Sequence, residues 1–176
     1  MKQRVLIFTC LLLIAIFSFG QTRSITDFNS LSTAGSVKVE LIKSSAPKIE
    51  YKMLKGKDVD LITEVKNGKL SVKIKNKWGM SNAKAEVKVY YTSLNSIVSS
   101  AGSTIQSFEK VNSDNMSISS SSGSRINLML NANSTAVNSS SGSSITLSGD
   151  VKGAGTFDSS SGSSINASDL SINDAN

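Results

Sequence analysis

Apolar residues in the C-terminal half of the chain, residues 99–176, recur at fixed distances from a repeated glycine. A serine-rich phrase that ends in Gly-Ser occurs four times, and aligning its glycines also aligns two apolar columns. The glycines are Gly102, Gly123, Gly142 and Gly162; one column is Ile105, Ile126, Ile145 and Ile165, and the other is Ile97, Ile118, Val137 and Phe157. The columns are eight residues apart, so in an extended chain they face the same side. The pattern predicts β-strands that bury one common face.

The glycines follow one another at steps of 21, 19 and 20 residues. A fixed period of about 20 residues is typical of repeat proteins, in which each coil buries its apolar face against its neighbours. We therefore predict an all-β solenoid, a single-stranded parallel β-helix whose turns contain the Gly-Ser phrase. One row of serines is expected to form an internal ladder of hydroxyls, and another row to face solvent. A flexible Ser/Gly linker is the alternative, which the fixed offsets of Ile and Val disfavour.

Residues 1–20 have the pattern of a signal peptide. Lys2 and Arg4 precede an apolar run of about 15 residues, and Ser18 and Gly20 place small residues before a predicted cleavage site. An uncleaved membrane anchor is the alternative, although the run is short for a membrane span. No second apolar run follows, so no transmembrane span is expected after cleavage. The only cysteine, Cys10, lies in this run, and the mature chain is expected to have no thiol.

Residues 21–98 also alternate between apolar and polar positions, but less regularly. Val37, Val39 and Leu41 are one such stretch, and Asn67-Gly68 between two others is a strong hairpin signal. We interpret residues 21–98 as a larger, less regular opening of the same solenoid. Residues 21–176 are thus predicted to form one domain, with regular Ser-Gly-Ser coils over residues 99–176.

Charge is distributed unevenly along the predicted mature chain. Residues 21–98 contain 14 Lys+Arg and 7 Asp+Glu, a balance of +7, whereas residues 99–176 contain 3 and 6, a balance of −3. Many lysines alternate with apolar residues, which indicates a solvated strand face. The functional alternative is attraction to an anionic surface or an acidic glycan. Nucleic acid is not an expected partner, because the protein is predicted to be exported and has no basic surface interleaved with aromatic residues.

The residues that support most enzyme chemistry are absent. The sequence contains no histidine, the commonest general base and metal ligand, and its one cysteine lies in the leader. We expect no catalytic residues, no metal site and no cofactor. Arg125, Asp150 and Asp158 could form the site of a polysaccharide-active enzyme, but the acidic residues are scattered along the chain.

Two aromatic residues are candidate ligand contacts. Trp78 follows a lysine in an apparent loop between strands, where an exposed indole could stack on a sugar ring. Tyr91 adjoins Tyr90, and alternation along a strand places at least one of the two side chains toward solvent. Packing of Trp78 over an open end of the solenoid is the structural alternative.

The order of these motifs resembles the autotransporter-adhesin head GIN domain family of exported proteins from Gram-negative bacteria. The resemblance runs from Phe28–Leu31 through Asn67–Val72 and Val87–Tyr91 to the Ser-Gly-Ser series. It implies a right-handed parallel β-helix outside the cytoplasm and no defined catalytic residues. The combined prediction is a right-handed single-stranded parallel β-helix with coils of about 20 residues and a less regular N-terminal β region.

We therefore expect an exported, non-enzymatic binding or structural module, adhesin-like, in the periplasm, at the outer-membrane surface or outside the cell. The expected partner is a glycan or another cell-surface component. The sequence ends at Asn176 part-way through a predicted coil, so a homo-oligomer could form through the open coil end. The alternatives are a polysaccharide-active enzyme on the same scaffold and a scaffold that assembles through its open ends.

Overall fold

The computed structural model describes residues 20–75 and 82–173. The described residues form β-strands and one short 3-10 helix, Asp58–Asp60. The strands are β1 (Gln21–Ser24), β2 (Ser30–Ala34), β3 (Val37–Lys43), β4 (Lys48–Lys55), β5 (Leu61–Lys66), β6 (Lys69–Ile74), β7 (Lys84–Tyr91), β8 (Ser96–Ser100), β9 (Thr104–Ser120), β10 (Arg125–Ser139), β11 (Ser144–Val151), β12 (Gly155–Ser159) and β13 (Ser164–Ile172). The prediction of an all-β fold is confirmed.

The described strands form a mixed sheet rather than the predicted right-handed parallel β-helix. Nine of them make a half-barrel in the order β1-β4-β7-β3-β9-β8-β2-β6-β5, and β10 to β13 extend it beside β9. The pairs β1/β4, β4/β7 and β5/β6 are antiparallel, whereas the other pairs are parallel. A regular parallel solenoid requires every strand to run in the same direction as its copy, so these antiparallel pairs show that the predicted fold class was wrong.

Two chain reversals in the N-terminal half produce the antiparallel pairs. Asn67 and Gly68 both have positive φ, 51° and 72°, as the two-residue turn of a tight hairpin requires, and β5 pairs with β6 on either side of them. The connection at residues 44–47 reverses the chain between β3 and β4, so that β4 runs antiparallel to β7 while β3 runs parallel to it. Residues 21–98 are therefore not an opening coil of a parallel repeat.

The two apolar columns stack as the alignment predicts. Parallel pairing joins Ile105 to Ile126, Ile126 to Ile145 and Ile145 to Ile165. The second column joins Ile97, Ile118, Val137 and Phe157 in the same way. Side chains of both columns are buried in all but the last layer, where Phe157 and Ile165 are partly exposed. The core therefore runs continuously along the stacked strands.

One irregularity explains why the first step between glycines is 21 residues. Between its pairing positions with Asn127 and Met129, β9 contains two extra residues, because Gln106 pairs with Asn127 and Lys110 with Met129. The backbone N–H of Met129 donates to the Ser107 hydroxyl over 3.1 Å. The bulge therefore leaves this N–H satisfied.

The repeated Gly-Ser phrase forms a stack of tight turns. In each turn the glycine and the residue before it both have positive φ, as in a type I′ turn. In one such turn the Ser124 N–H donates to the Ser121 carbonyl over 3.2 Å, and the Gly123 N–H donates to the Ser141 carbonyl of the next turn over 3.1 Å. The turns are thus bonded to one another along the stack.

Serine hydroxyls flanking these turns form a buried ladder, which confirms the predicted internal row. The Ser120 and Ser124 hydroxyls lie 2.8 Å apart, and the Ser124 hydroxyl also bonds the Ser99 carbonyl of the preceding layer at 2.8 Å. Ser143 repeats this arrangement one layer further, with the Ser120 carbonyl as acceptor at 2.8 Å. Among the described residues, no buried side-chain nitrogen or oxygen lacks a hydrogen-bond partner.

Candidate ligand-binding groove

Corners of the sheet line one open groove of about 610 Å³. Five segments contribute: Asn29, Ser93–Asn95, Asn112–Asn115, Asn131–Asn133 and Lys152. Backbone hydrogen bonds connect the segments in this order. The Asn95 N–H donates to the Asn29 carbonyl over 2.8 Å, and the Lys152 N–H donates to the Ala132 carbonyl over 3.0 Å. The groove therefore crosses successive layers of the stacked strands.

The groove lies where the corners of successive layers differ in length. The corner between β7 and β8 contains only four residues, Thr92–Asn95, whereas β9 and β10 continue through the same corner as long extended segments. Leu94 is buried in the core and anchors the short corner. We infer that β9 and β10, in the layers that follow the short corner, extend beyond it and leave a recess beside it.

The groove is rich in asparagine. Six of its twelve lining residues are asparagines: Asn29, Asn95, Asn112, Asn115, Asn131 and Asn133. Several of these side chains are bonded between layers: Asn131 Nδ2 donates to Asn112 Oδ1 over 2.6 Å, and Asn133 Nδ2 donates to Asp114 Oδ1 over 3.1 Å. These contacts hold the amide groups in fixed orientations at the surface of the groove.

The groove contains little charge. Asp114 and Lys152 are its charged lining residues, and their charges are opposite. Nearby, the Lys110 ammonium forms an ion pair with Asp150 at 2.7 Å, so that this pair adds no net charge beside the groove. The lining therefore offers hydrogen-bond donors and acceptors rather than an electrostatic field.

Two smaller depressions adjoin the groove. One shares Asn29 and Ser93 with it, and includes Asp27 and Thr92. The other shares Asn95 and Asn115, and its further lining residues are mostly small, with Ser117, Ala136, Ala154 and Thr156 among them. The three depressions thus form one continuous surface feature.

Comparisons with known proteins identify the family. Residues 27–176 match the family model described as "putative auto-transporter adhesin, head GIN domain". The chain belongs to this family. The predicted resemblance is confirmed, and the adhesin name of the family suggests an exported or surface protein.

Solved structures show that this head GIN domain shares its fold with proteins from Bacteroides and Parabacteroides. A crystal structure of a putative adhesin from Bacteroides fragilis matches with a TM-score of 0.76 and 19% identity, covering 87% of this chain and 72% of the other. A putative adhesin from Parabacteroides distasonis matches with a TM-score of 0.66 and 19% identity, over 86% and 74%. A putative lipid binding protein, also from Parabacteroides distasonis, matches with a TM-score of 0.59 and 16% identity, over 86% and 75%. A comparison with curated protein sequences found no match.

Of the two aromatic residues proposed from sequence, Tyr91 does not line the groove of the head GIN domain. Trp78 lies outside the described residues, as does the predicted signal peptide up to Phe19. Tyr91 is 2% exposed and packs in the core, whereas the adjoining Tyr90 is partly exposed. The role of Trp78 and Tyr91 in ligand contact stays a prediction, and the structure gives Tyr91 almost no surface with which to make such a contact.

Because the Tyr91 phenol is buried, we expect the free energy of unfolding to depend on its ionisation at alkaline pH. Burial, with a smaller contribution from Glu109, raises the pKa of Tyr91 to about 12. Because the unfolded value is about 10, the stabilising contribution of the neutral phenol is complete below pH 10 and is lost as the pH rises toward 12. We expect the free energy of unfolding of Tyr91→Phe to fall less than that of the wild type over this interval, measured by urea denaturation. If the free energy of unfolding falls equally with pH for the two proteins, the buried Tyr91 phenol does not cause the alkaline loss of stability.

The structure does not bring together the residues of the enzyme alternative. Arg125 begins β10, while Asp150 pairs with Asn131 and Asp158 with Asn138, farther along the strand. Among the described residues, no group of three or more acidic, cysteine or histidine side chains could hold a metal ion. In the same part of the chain, no helix is long and apolar enough to cross a membrane.

Sequence reasoning missed the groove. The available signal was the return of asparagine eight to thirteen residues after two turn glycines, at Asn112, Asn115, Asn131 and Asn133. Two of these residues lie in glycosylation-like motifs, which give no reason to expect a groove. Only the pairing of β9 with β10 shows that these asparagines lie side by side.

Proposed function

We propose that this head GIN domain is an exported, non-enzymatic, adhesin-like module that binds a glycan of a cell surface. The observation that carries the proposal is the groove lined by six asparagines. A primary amide offers both donors and acceptors, which matches the mixed donor and acceptor character of sugar hydroxyls. A concave site with convergent polar groups is the usual form of a ligand site.

The chemistry of the groove supports binding rather than catalysis. Its acidic residue, Asp114, accepts a hydrogen bond from Asn133, and the other charged lining residue is a lysine. Hydrolysis of a glycosidic bond normally requires a pair of carboxyl groups on either side of that bond. The sequence has no histidine to serve as a base instead.

Export remains part of the proposal. Residues 1–20 are expected to be a signal peptide, and residues 21–176 to be one domain in the periplasm, on the outer membrane or outside the cell. Self-association is a further expectation. In the described residues β12 pairs only with β10 and β13 only with β11, so both strands leave an edge unpaired.

A second candidate function is docking to an anionic lipid surface through a loop-like segment, residues 54–59, which comprises the end of β4 and the start of the 3-10 helix. This loop exposes 53% of Leu54 and 74% of Val59, and Lys55 lies directly opposite Lys84 across the β4/β7 pair. Like charges facing each other across strands are destabilising unless an anion lies between them. The name of the lipid-binding relative from Parabacteroides distasonis is consistent with this candidate.

One experiment compares the two candidates. The purified protein is applied to a glycan array and to vesicles of phosphatidylglycerol and phosphatidylcholine, alongside two double variants. Asn131→Leu with Asn133→Leu removes amides from the groove, and Leu54→Ser with Val59→Asp makes the loop polar. We expect the wild type to bind array glycans, the groove variant to lose about tenfold or more in affinity, and the loop variant to bind as the wild type.

The opposite pattern would overturn the proposal. If the array shows no binding, and vesicle binding is present and is lost only in the loop variant, lipid docking becomes the function. New reducing ends on a bound glycan would show an enzyme. Each variant is compared with the wild type by circular dichroism, so that a loss of binding is separated from a loss of folding.

A further inference from the structure

We propose that the ligand of the groove is an uncharged, extended glycan chain that runs along the stacking direction of the strands, with about one sugar unit per layer. This inference rests on the proposed function. It adds the charge, the length and the direction of the ligand, which that function leaves open.

The length of the groove indicates a chain rather than a single sugar. Lining residues come from five consecutive layers, from Asn29 to Lys152. Neighbouring strands lie about 4.8 Å apart, so four steps between five layers span about 19 Å. A single pyranose ring is much shorter than this span. The repeat of an extended chain of linked pyranoses is close to one strand spacing, so successive sugars can meet equivalent positions of successive layers.

The neighbouring depressions lengthen this path. The depression that shares Asn29 and Ser93 has a volume of about 490 Å³, and the depression that shares Asn95 and Asn115 has a volume of about 460 Å³. The first depression extends the path beyond Asn29, whereas the second lies alongside the groove on β9 and β10. This geometry lets the ligand extend past one end of the groove.

The balance of charge indicates an uncharged ligand. The protein has a net charge of +6, yet the groove and its two neighbours are lined by only three charged residues, Asp27, Asp114 and Lys152. Two of the three are acidic. A site for an acidic polysaccharide would be expected to collect lysines or arginines, but this groove is lined by one lysine, and the nearby Lys110 is paired with Asp150.

The amide groups are held in place but keep unused hydrogen-bonding capacity. Asn112 accepts from Asn131 through Oδ1 and donates to the Lys110 carbonyl through Nδ2 at 3.2 Å. A primary amide has two N–H donors and two acceptor lone pairs, so these bonds leave one donor and one acceptor position for a ligand. Because the side chain is already ordered, binding a sugar hydroxyl costs less side-chain entropy.

Small side chains beside the amides provide a surface for the apolar face of a sugar ring. Ser117 pairs with Ala136, and Ala136 pairs with Thr156, so the three side chains form a row across layers. The row lines the depression that shares Asn95 and Asn115 with the groove. The C–H groups of a pyranose could lie against this row while its hydroxyls bond the amides.

The test measures affinity against ligand length and charge. The probes are gluco-, manno-, xylo- and chito-oligosaccharides of one to six units, together with uronic acid oligosaccharides of the same lengths. We expect the affinity for the preferred neutral series to rise by about tenfold or more from two to five units and then level off. It should change little between about 0.05 and 0.5 M salt, because no ion pair is formed with the ligand.

Alanine variants of two asparagines on β10 test where the ligand binds. Asn131→Ala should weaken binding of the six-unit ligand about tenfold, the cost of losing one or two hydrogen bonds. Asn127→Ala removes an exposed asparagine of the same strand that lines none of the three depressions, and it should leave the affinity unchanged.

Other outcomes separate this inference from the proposed function. If a uronic acid series binds most tightly, or one unit binds as tightly as six, and Asn131→Ala still weakens binding, the groove is a glycan site but the inference is wrong. If none of the probes binds, or Asn127→Ala and Asn131→Ala are equivalent, the inference and the proposed groove fail together.

Discussion

Replacing Gly149 with alanine is expected to destabilise the protein by about 3 kcal/mol or more, the range of severe backbone and packing defects. A Cβ at this position would lie 2.1 Å from the carbonyl oxygen of Leu130 and 3.1 Å from the Leu130 carbonyl carbon. These are backbone atoms of the paired strand, so they cannot move aside without breaking the β10/β11 ladder. The φ of Gly149, 108°, is also a conformation that alanine rarely adopts.

Gly142→Ala is the matched control for this prediction. Gly142 also has positive φ, 68°, but a Cβ there would meet no atom within 4 Å. Only the conformational cost remains, about 1 kcal/mol. Urea denaturation followed by circular dichroism gives the free energy of unfolding of each variant. If the two substitutions cost the same, the close approach between Gly149 and Leu130 is not present in solution.

Replacing Ser124 with alanine is expected to cost about 2–3 kcal/mol, because it leaves buried polar groups without partners. The hydroxyl of Ser124 is within hydrogen-bond distance of the Ser120 hydroxyl, the Ser99 and Ser121 carbonyls and the Ser121 N–H. The side chain is 1% exposed, so water cannot replace these bonds.

Ser163 has the position of Ser124 in the last of the stacked turns. Replacing it separates the effect of burial from the effect of the hydrogen bonds. Its hydroxyl bonds the Ser139 and Ser160 carbonyls at 2.7 Å each and contacts the Ser159 hydroxyl at 2.9 Å. Ser163 is partly exposed, so water can satisfy the groups that Ser163→Ala leaves. We expect this variant to lose about 1 kcal/mol or less. A cost for Ser163→Ala as large as that for Ser124→Ala would contradict the role given to burial.

The stacking of the C-terminal half could be predicted from sequence because its signals are local and repeated. Each turn glycine needs positive φ, each isoleucine three residues later points to the core, and the serine directly after the glycine bonds the neighbouring layer. Where one copy departs from the pattern, the other copies still show it. The hairpin at Asn67-Gly68 was predictable for the same reason, since its turn type depends on only two residues.

The direction of the N-terminal strands could not be predicted in the same way. Alternation of apolar and polar residues is the same in parallel and antiparallel strands, so β4 looks like any other strand of the predicted coil. Its cross-strand neighbours, such as Lys88 opposite Glu50 and Glu86 opposite Lys52, favour the observed register. These pairs are recognisable only after the two strands have been placed together.

The groove was hidden from sequence for a related reason. Asn95, Asn115 and Asn133 are exposed, and an exposed asparagine by itself is ordinary. Their common position depends on the difference between the short Thr92–Asn95 corner and the long paths of β9 and β10. The sequence instead suggested aromatic residues as ligand contacts, and one of these, Tyr91, is buried.

The most direct test of the account is to observe the groove asparagines while a glycan binds. The side-chain amide signals of ¹⁵N-labelled protein would be recorded during titration with the tightest-binding neutral oligosaccharide from the array. We predict shifts of the Asn112, Asn131 and Asn133 side-chain signals, with Asn127 unchanged. Shifts confined to the Leu54–Val59 loop, or to signals outside the groove, would contradict the assignment of this groove as the binding site.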